Sequence, residues 1–176
     1  MCVSAYLLGL IKGDGGLYVL RYRGGMTEYR VVITQRSSDF VKRVVELMEG
    51  LVRDLGIKAK VQVIRGRTRY EIRVSSKALY QYFAGLSAGV ESLSGDCRLA
   101  FIKGLYEAEG DKSGRRVRLW NKDQKLLELV CRWLGELGIG CVIYLDDKRR
   151  GVYVLEVPSP WRGEFFRIFG TAPAPR

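Results

Sequence analysis

Apolar residues recur along this chain with two different periods, and the switches between them mark out its elements. Phe40, Val44, Leu47, Leu51 and Leu55 fall at helical spacing, behind a serine cap at Ser37 or Ser38 and ahead of Gly56, where a C-terminal cap belongs. Lys58, Lys60 and Gln62 instead alternate with Ala59, Val61 and Val63, and Arg67, Arg69, Glu71 and Arg73 with Thr68, Tyr70, Ile72 and Val74. That two-residue period predicts two half-buried strands, 58–65 and 68–75, joined at Gly66-Arg67. Upstream, residues 5–13 predict a helix, and 17–23 and 28–35 a hairpin turning at Gly24-Gly25; Ser76 opens a third helix through Leu79, Tyr82 and Phe83. The order then recurs: a helix over 98–109, a strand over 115–120, a helix over 123–137, strands over 141–146 and 152–157, and a last helix opened by Ser159-Pro160. The fold class is therefore α+β, with halves at 1–85 and 97–170, a Gly/Ser-rich joint at 86–96 and a frayed tail at 171–176.

A short motif is repeated at ninety-five residues' distance. Leu8 to Gly15 reads LGLIKGDG and Lys103 to Gly110 reads KGLYEAEG, pairing Gly9 with Gly104, Gly13 with Ala108, and Asp14 with Glu109. Small residues one turn apart on a helix let two backbones approach closely. One such face alone is an ordinary packing site; two in register, each ending in an acid, predict a central helix pair with a carboxylate at each C-terminal end. The alternative register, Asp14 against Asp111, sets Tyr106 opposite Gly9 and destroys the small-residue face. Asp111 is then a helix-exit residue, and Glu107, opposite Lys12, a solvated position. The repeat is imperfect: Leu55-Gly-Ile57 and Leu137-Gly-Ile139 are offset by eighty-two, so thirteen residues are missing after the second motif, read as most of one strand and its turn.

Thirty Lys and Arg against nineteen Asp and Glu, a net charge of +11, imply a polyanionic partner. The chain has no histidine, which excludes zinc-finger readers, His-based nuclease sites and Ser-His or Cys-His nucleophile pairs. Cys2, Cys97, Cys131 and Cys141 have no C-x-x-C spacing and read as small buried thiols of a reducing cytoplasm. The apolar run 5–11 lacks a basic flank and is too short for a bilayer, so neither a signal peptide nor a membrane span is expected, and the protein reads as soluble and cytoplasmic. A single asparagine, Asn121, amid abundant charge hints at a thermophilic source.

Carboxylates at two helix C-termini face two negative dipole ends, an arrangement that asks for a cation. Hard oxygen ligands without histidine suit Mg2+ better than zinc. The duplicated motif resembles that of the LAGLIDADG homing endonucleases in their single-chain, double-motif form, and the resemblance covers nearly the whole chain. It implies two pseudo-symmetric αββαββα subdomains, motif helices at their interface, and antiparallel sheets forming a DNA-binding saddle. It further implies a monomer with no obligate protein partner, and an intron-borne enzyme that cuts both strands of a long asymmetric duplex to leave short 3′ overhangs. Asp14 and Glu109 would then be metal ligands and catalytic, with the carbonyls of Gly13 and Ala108 completing the coordination. Mg2+ is the expected cofactor, with Mn2+ able to substitute and Ca2+ able to support binding without cleavage.

Polar helpers are expected around the acids. Gln35 and Arg36 end one strand and Asn121 and Lys122 its counterpart, an amide followed by a cation in each half. Lys112, three residues past Glu109, either reaches the scissile phosphate or is a surface lysine. The DNA-binding face is expected to hold Arg21, Arg23, Lys58, Lys60, Gln62, Arg67, Arg69, Arg73, Arg116 and Arg118. Arginine favours guanine and glutamine adenine in the major groove, whereas Val142, Val154 and Glu156 leave the second half with fewer polar contacts. The rival readings are an RNA-splicing maturase or a non-cleaving DNA-binding protein on the same scaffold, and a single-strand binder, which would need stacking aromatics on the polar face.

Overall fold

A computed structural model describes residues 2–111, 113 and 115–171. Its first half runs α1 (Val3–Asp14), β1 (Gly15–Arg21), β2 (Thr27–Gln35), α2 (Ser38–Asp54), β3 (Val61–Arg65), β4 (Tyr70–Ser75) and α3 (Lys77–Ala88). A 3-10 turn at Val90–Ser92 leads to α4 (Gly95–Glu109), β5 (Val117–Asn121), α5 (Gln124–Glu136), β6 (Val142–Asp147), β7 (Val152–Val157) and α6 (Ser159–Phe169). Three caps are those the sequence announces: Ser37 accepts from the Phe40 amide, Ser76 from that of Leu79, and Gly56 follows α2 at φ +65°. At α6 the expected cap is displaced by one: Pro158 holds the N-cap place without a side-chain bond, and Ser159 and Pro160, expected as N-cap and N1, are the first two helical residues.

The first sheet is ordered β1-β2-β4-β3 and the second β5-β7-β6, all pairs antiparallel. The second thus repeats the first minus its outer strand. Of that strand's pairing, a single bridge survives among the described residues, Gly110 to Leu119, the counterpart of Gly15 opposite Ile33. The thirteen-residue deficit is therefore divided. Gln35 follows Asp14 by twenty-one positions and Asn121 follows Glu109 by twelve, so nine residues are lost with the strand. The other four are one turn of helix, since α5 has 13 residues where α2 has 17, a loss that the sequence reading had assigned to the strand.

Helices α1 and α4 pack against each other at the centre of the core. Ala5 through Ile11 are all buried, because α2, α3 and the first sheet cover what α4 leaves open. The contact is reciprocal. A Cβ built on Gly9 would lie 2.3 Å from the Phe101 carbonyl oxygen, and one on Gly104 only 2.1 Å from that of Tyr6. Phe101 and Tyr6 are ninety-five residues apart, as are the glycines, so one pseudo-two-fold axis relates both contacts.

The cysteines depart from expectation. Cys2 is joined to Cys97 and Cys131 to Cys141, with Cα separations of 4.9 and 5.8 Å, where free thiols had been expected. Cys2 and Cys97 are also separated by 95 residues, so the axis that pairs the motifs brings them together, and their bond ties the N-terminal ends of α1 and α4. Among the described residues no helix is long and apolar enough to cross a membrane.

Candidate active site and nucleic-acid interface

The chain leaves both motif helices in extended conformation, at Gly15 and at Gly110, so each acid sits on a last helical turn, at the negative end of its helix dipole. The two ends meet. A Cβ on Gly13 would lie 2.5 Å from that of Ala108 and 3.0 Å from Cγ of Glu109. Gly13, Asp14 and Glu109 are half-buried and Ala108 is buried. An open cleft of about 420 Å³ is lined by Lys12, Gly13, Glu109, Trp120, Asn121, Lys122 and Val152, drawing on both halves.

Asn121 works across the boundary. Its Nδ2 donates to the Lys12 carbonyl at 3.1 Å, closing the first motif helix, while its Oδ1 accepts from the Asp123 amide at 2.9 Å at the start of α5. Gln35 occupies the corresponding place, two residues beyond Ile33 as Asn121 is beyond Leu119. It is buried, and its Nε2 has no hydrogen-bond partner among the described residues. Arg36 and Lys122 follow the two amides and are exposed. Lys112 lies outside the described residues.

A divalent ion fits this donor set. The available groups are two carboxylates and helix-terminal carbonyls, all hard oxygens; the chain has no histidine, and its cysteines are paired. No three His, Cys, Asp or Glu side chains are grouped among the described residues, so an ion here would draw its other ligands from carbonyls, water or substrate.

Glu107 is not the solvated position expected of it. It is 5% exposed, accepts from the Tyr6 hydroxyl, and pairs with Arg43 at 2.8 Å. Burial, and then the charge of Glu107, push the Tyr6 hydroxyl far above the usual tyrosine range.

The first sheet has one apolar and one polar side. Val31 pairs with Val74, Ile33 with Ile72 and Val61 with Val74 towards the helices; Arg30 pairs with Ser75, Val32 with Arg73 and Gln62 with Arg73 on the other side. Arg73 and Gln62 are thus neighbours on the polar face, with Arg73 also bonded to Glu71 at 2.7 Å. Lys58 and Lys60 precede β3 in phase with Gln62 and are exposed, as are Arg67 and Arg69 in the turn, and Arg23 beside the Gly24-Gly25 turn. Arg21 departs from its expected place: it pairs with Thr27, in phase with Leu17 and Val31, and so lies on the opposite side of the sheet.

Reading from sequence missed the centre of this polar face. Arg30 donates to both carboxylate oxygens of Glu28 at 2.7 Å, and Ser75 and Tyr22 donate to the same group at 2.6 and 2.7 Å. These bonds, that of Arg30 foremost, hold the Glu28 carboxyl down to about 2. The alternation of Glu28, Arg30, Val32 and Thr34 with Tyr29, Val31 and Ile33 was the available signal. In the second sheet Arg118 pairs with Glu156 at 2.9 Å, and Tyr144 and Arg162 share that acid. Burial raises the Glu156 carboxyl, but the bonds from Tyr144 and Arg118 outweigh it and leave it below its usual value. Arg116 is exposed, and the exposed β6–β7 turn presents Lys148, Arg149 and Arg150, which were also missed.

Residues 1–86 and 96–167 match the family model of the LAGLIDADG-like domain, one segment for each half. The chain belongs to the LAGLIDADG family. It is 54% identical over 156 residues to the homing endonuclease I-DmoI of Desulfurococcus mucosus, covering 88% of this chain and 80% of that one. A crystal structure of I-DmoI in complex with DNA and Mn superposes with a TM-score of 0.93 at 50% identity, over 97% of both chains. Another, with DNA and Ca, gives 0.92 at 52%, over 95% of this chain and 88% of that one. The N-terminal LAGLIDADG domain of DUF199/WhiA shares the fold alone, at 16% identity and a TM-score of 0.63, over 97% of this chain and 82% of that one. The α+β architecture with two antiparallel sheets is that of the LAGLIDADG fold.

Proposed function

We infer that this LAGLIDADG protein is a site-specific homing endonuclease that breaks both strands of a long asymmetric duplex in a divalent-metal-dependent hydrolysis. The observation that carries the reading is the meeting of the two motif-helix ends, where Gly13, the neighbour of Asp14, lies against Ala108 and Glu109. The Mn and Ca complexes of I-DmoI with DNA support Mg2+ or Mn2+ as the working ion and Ca2+ as a binding surrogate.

Asp14 and Glu109 would hold metal, with the carbonyls of Gly13 and Ala108 as further ligands, each acid serving one strand. When bound, a divalent ion supplies activation of water and stabilisation of the leaving oxygen. The remaining roles belong to the chain. Gln35, with its uncommitted Nε2, positions water or a phosphate oxygen in the first half. Asn121 fixes the end of α1, and so the place of Asp14, from the second half. Arg36, Lys122 and Lys112 offset charge that builds on the phosphate.

On the polar face Arg30, Gln62 and Arg73 are placed to read bases, and Arg118 is their counterpart in the second half. Arg23, Lys58, Lys60, Arg67, Arg69 and Arg116 hold phosphates, joined by the Lys148 to Arg150 turn. The protein would act as a monomer inside the cell, and the paired cysteines favour a thermophilic source.

The test is cleavage of a duplex recovered by selection. Wild-type chain should cut both strands in Mg2+ or Mn2+, leaving short 3′ overhangs. The double variant Asp14→Asn, Glu109→Gln should bind in Ca2+ but leave both strands intact. Cutting by that variant would overturn the site, and binding without cutting by wild type would mark a non-cleaving member of the family.

A further inference from the structure

Glu107 is a buried charge on a motif helix that the reading above leaves unused. Its side chain is 6% exposed, and two of its partners come from helices of the opposite half: the Tyr6 hydroxyl on α1 and the Arg43 guanidinium on α2. Arg43 also donates to the Tyr6 hydroxyl at 2.8 Å and lies over the Phe40 ring at 4.7 Å, which orients it towards α4. An ionised carboxylate out of water is tolerated only with such partners.

The arrangement exists on one side of the molecule only. Through the pseudo-two-fold axis Tyr6 corresponds to Phe101 and Glu107 to Lys12. Counted from the caps Ser37 and Asp123, Arg43 corresponds to Leu129. The second site therefore has no hydroxyl, no acid and no guanidinium; Phe101 and Leu129 are buried apolar residues. Helix packing alone, symmetric about Gly9 and Gly104, would not require the polar version, so its presence next to Ala108 and Glu109 calls for another reason.

We propose that Glu107, held by Arg43 and Tyr6, is a positioning residue that fixes the axial register of α4 against the first half and thereby the placement of Glu109 opposite Asp14. It rests on the endonuclease reading above, since the quantity it sets is the geometry of that pair. Apolar surfaces slide more easily than a bonded charge, and a site whose two ligand-bearing helices belong to different halves depends on their register. Glu107 acts through Glu109 and touches no reacting atom.

The experiment uses full-length chain and a labelled duplex recovered by selection. Three variants are compared: Glu107→Gln; the apolar replacement Arg43→Met with Glu107→Leu; and Tyr6→Phe. For each, Tm, the duplex Kd in Ca2+, and the single-turnover cleavage rate across a Mn2+ titration are measured. The apolar pair should restore Tm close to wild type, because a buried ion pair is replaceable in stability. Its cleavage rate should stay about tenfold or more below wild type with Kd unchanged, and its half-saturating Mn2+ concentration should rise. Glu107→Gln should be slow as well, and Tyr6→Phe intermediate. If cleavage returns together with Tm in the apolar pair, or if folded Glu107→Gln cuts at the wild-type rate, the proposal is overturned. A wild-type chain that does not cut would overturn the endonuclease reading and this proposal together, whereas fast variants beside a fast wild type overturn this one alone.

Discussion

Among the described residues the first half carries four strands in the order β1-β2-β4-β3 and the second three in the order β5-β7-β6; the strand without a counterpart is β1, which leaves the first motif helix. The two motif helices meanwhile match closely, with glycines in reciprocal contact and an acid on each last turn. The glycine contact itself has not diverged because it leaves no room: a methyl group at Gly9 or Gly104 would fall within 2.3 Å of a backbone oxygen of the partner helix. An outer strand has no such constraint on its removal, since only its inner neighbour must be re-satisfied.

The comparison can be broken hardest at the acids. Asp14→Asn and Glu109→Gln, made singly, should each lower double-strand cleavage by about three orders of magnitude, about 4 kcal/mol of transition-state stabilisation. Binding in Ca2+ should persist. A variant that kept near wild-type cleavage would show that the two halves are not chemically equivalent.

The disulfides offer a stability version of the same comparison. A bond closing a loop of 95 residues between the halves constrains the unfolded chain more than one closing 10 residues within the second half. Chemical denaturation should show a loss of about 4–5 kcal/mol for Cys97→Ser and about 3 kcal/mol for Cys141→Ser. Equal losses would mean that the cross-half bond does not constrain the chain in solution.

Next come the glycines. Gly9→Ala and Gly104→Ala should each destabilise by about 3 kcal/mol, and to similar extents, because each methyl group meets the equivalent backbone across the axis. Unequal losses would place the pseudo-two-fold axis elsewhere.

The smallest effects should appear on the reading surface and differ between halves. Arg73→Ala should weaken target binding by about 1–3 kcal/mol and relax preference at one base. Arg118→Ala should weaken it by less than about 1 kcal/mol, because Val142 and Val154 on the adjoining strands give it less polar surroundings than Gln62 gives Arg73. Lys60→Ala should reduce the slope of log K against log salt by about 0.9 without altering base preference. Anisotropy titrations at several salt concentrations read all three, and a larger loss at Arg118 would reverse the assignment.

What could be read from the chain alone follows from which physical constraints are local. The motif pairing of Gly9 with Gly104 and Asp14 with Glu109 was legible because close helix packing admits few residue types and repeats them at a fixed offset. The cystine across the halves carries the same signal, since Cys2 and Cys97 share that offset, but no local C-x-x-C spacing marks it. Glu107 was not legible, because its burial depends on Tyr6 and Arg43, which arrive from other helices. Arg21 was misplaced because its side of the sheet follows from its pairing with Thr27, whereas Arg73 sits in a long uninterrupted alternation. The shorter α5 was hidden for a related reason: an offset between distant landmarks counts lost residues without saying which element lost them.

The central claim is that the halves are equal in chemistry and unequal as readers. Selection of cleaved sites from a randomised duplex library, with both strands sequenced at the break, measures the two properties together. The account predicts one cut in each strand at a fixed short stagger, with most of the sequence preference on the side of the break bound by the four-stranded sheet. Cutting of one strand only, or equal preference on the two sides, would contradict it.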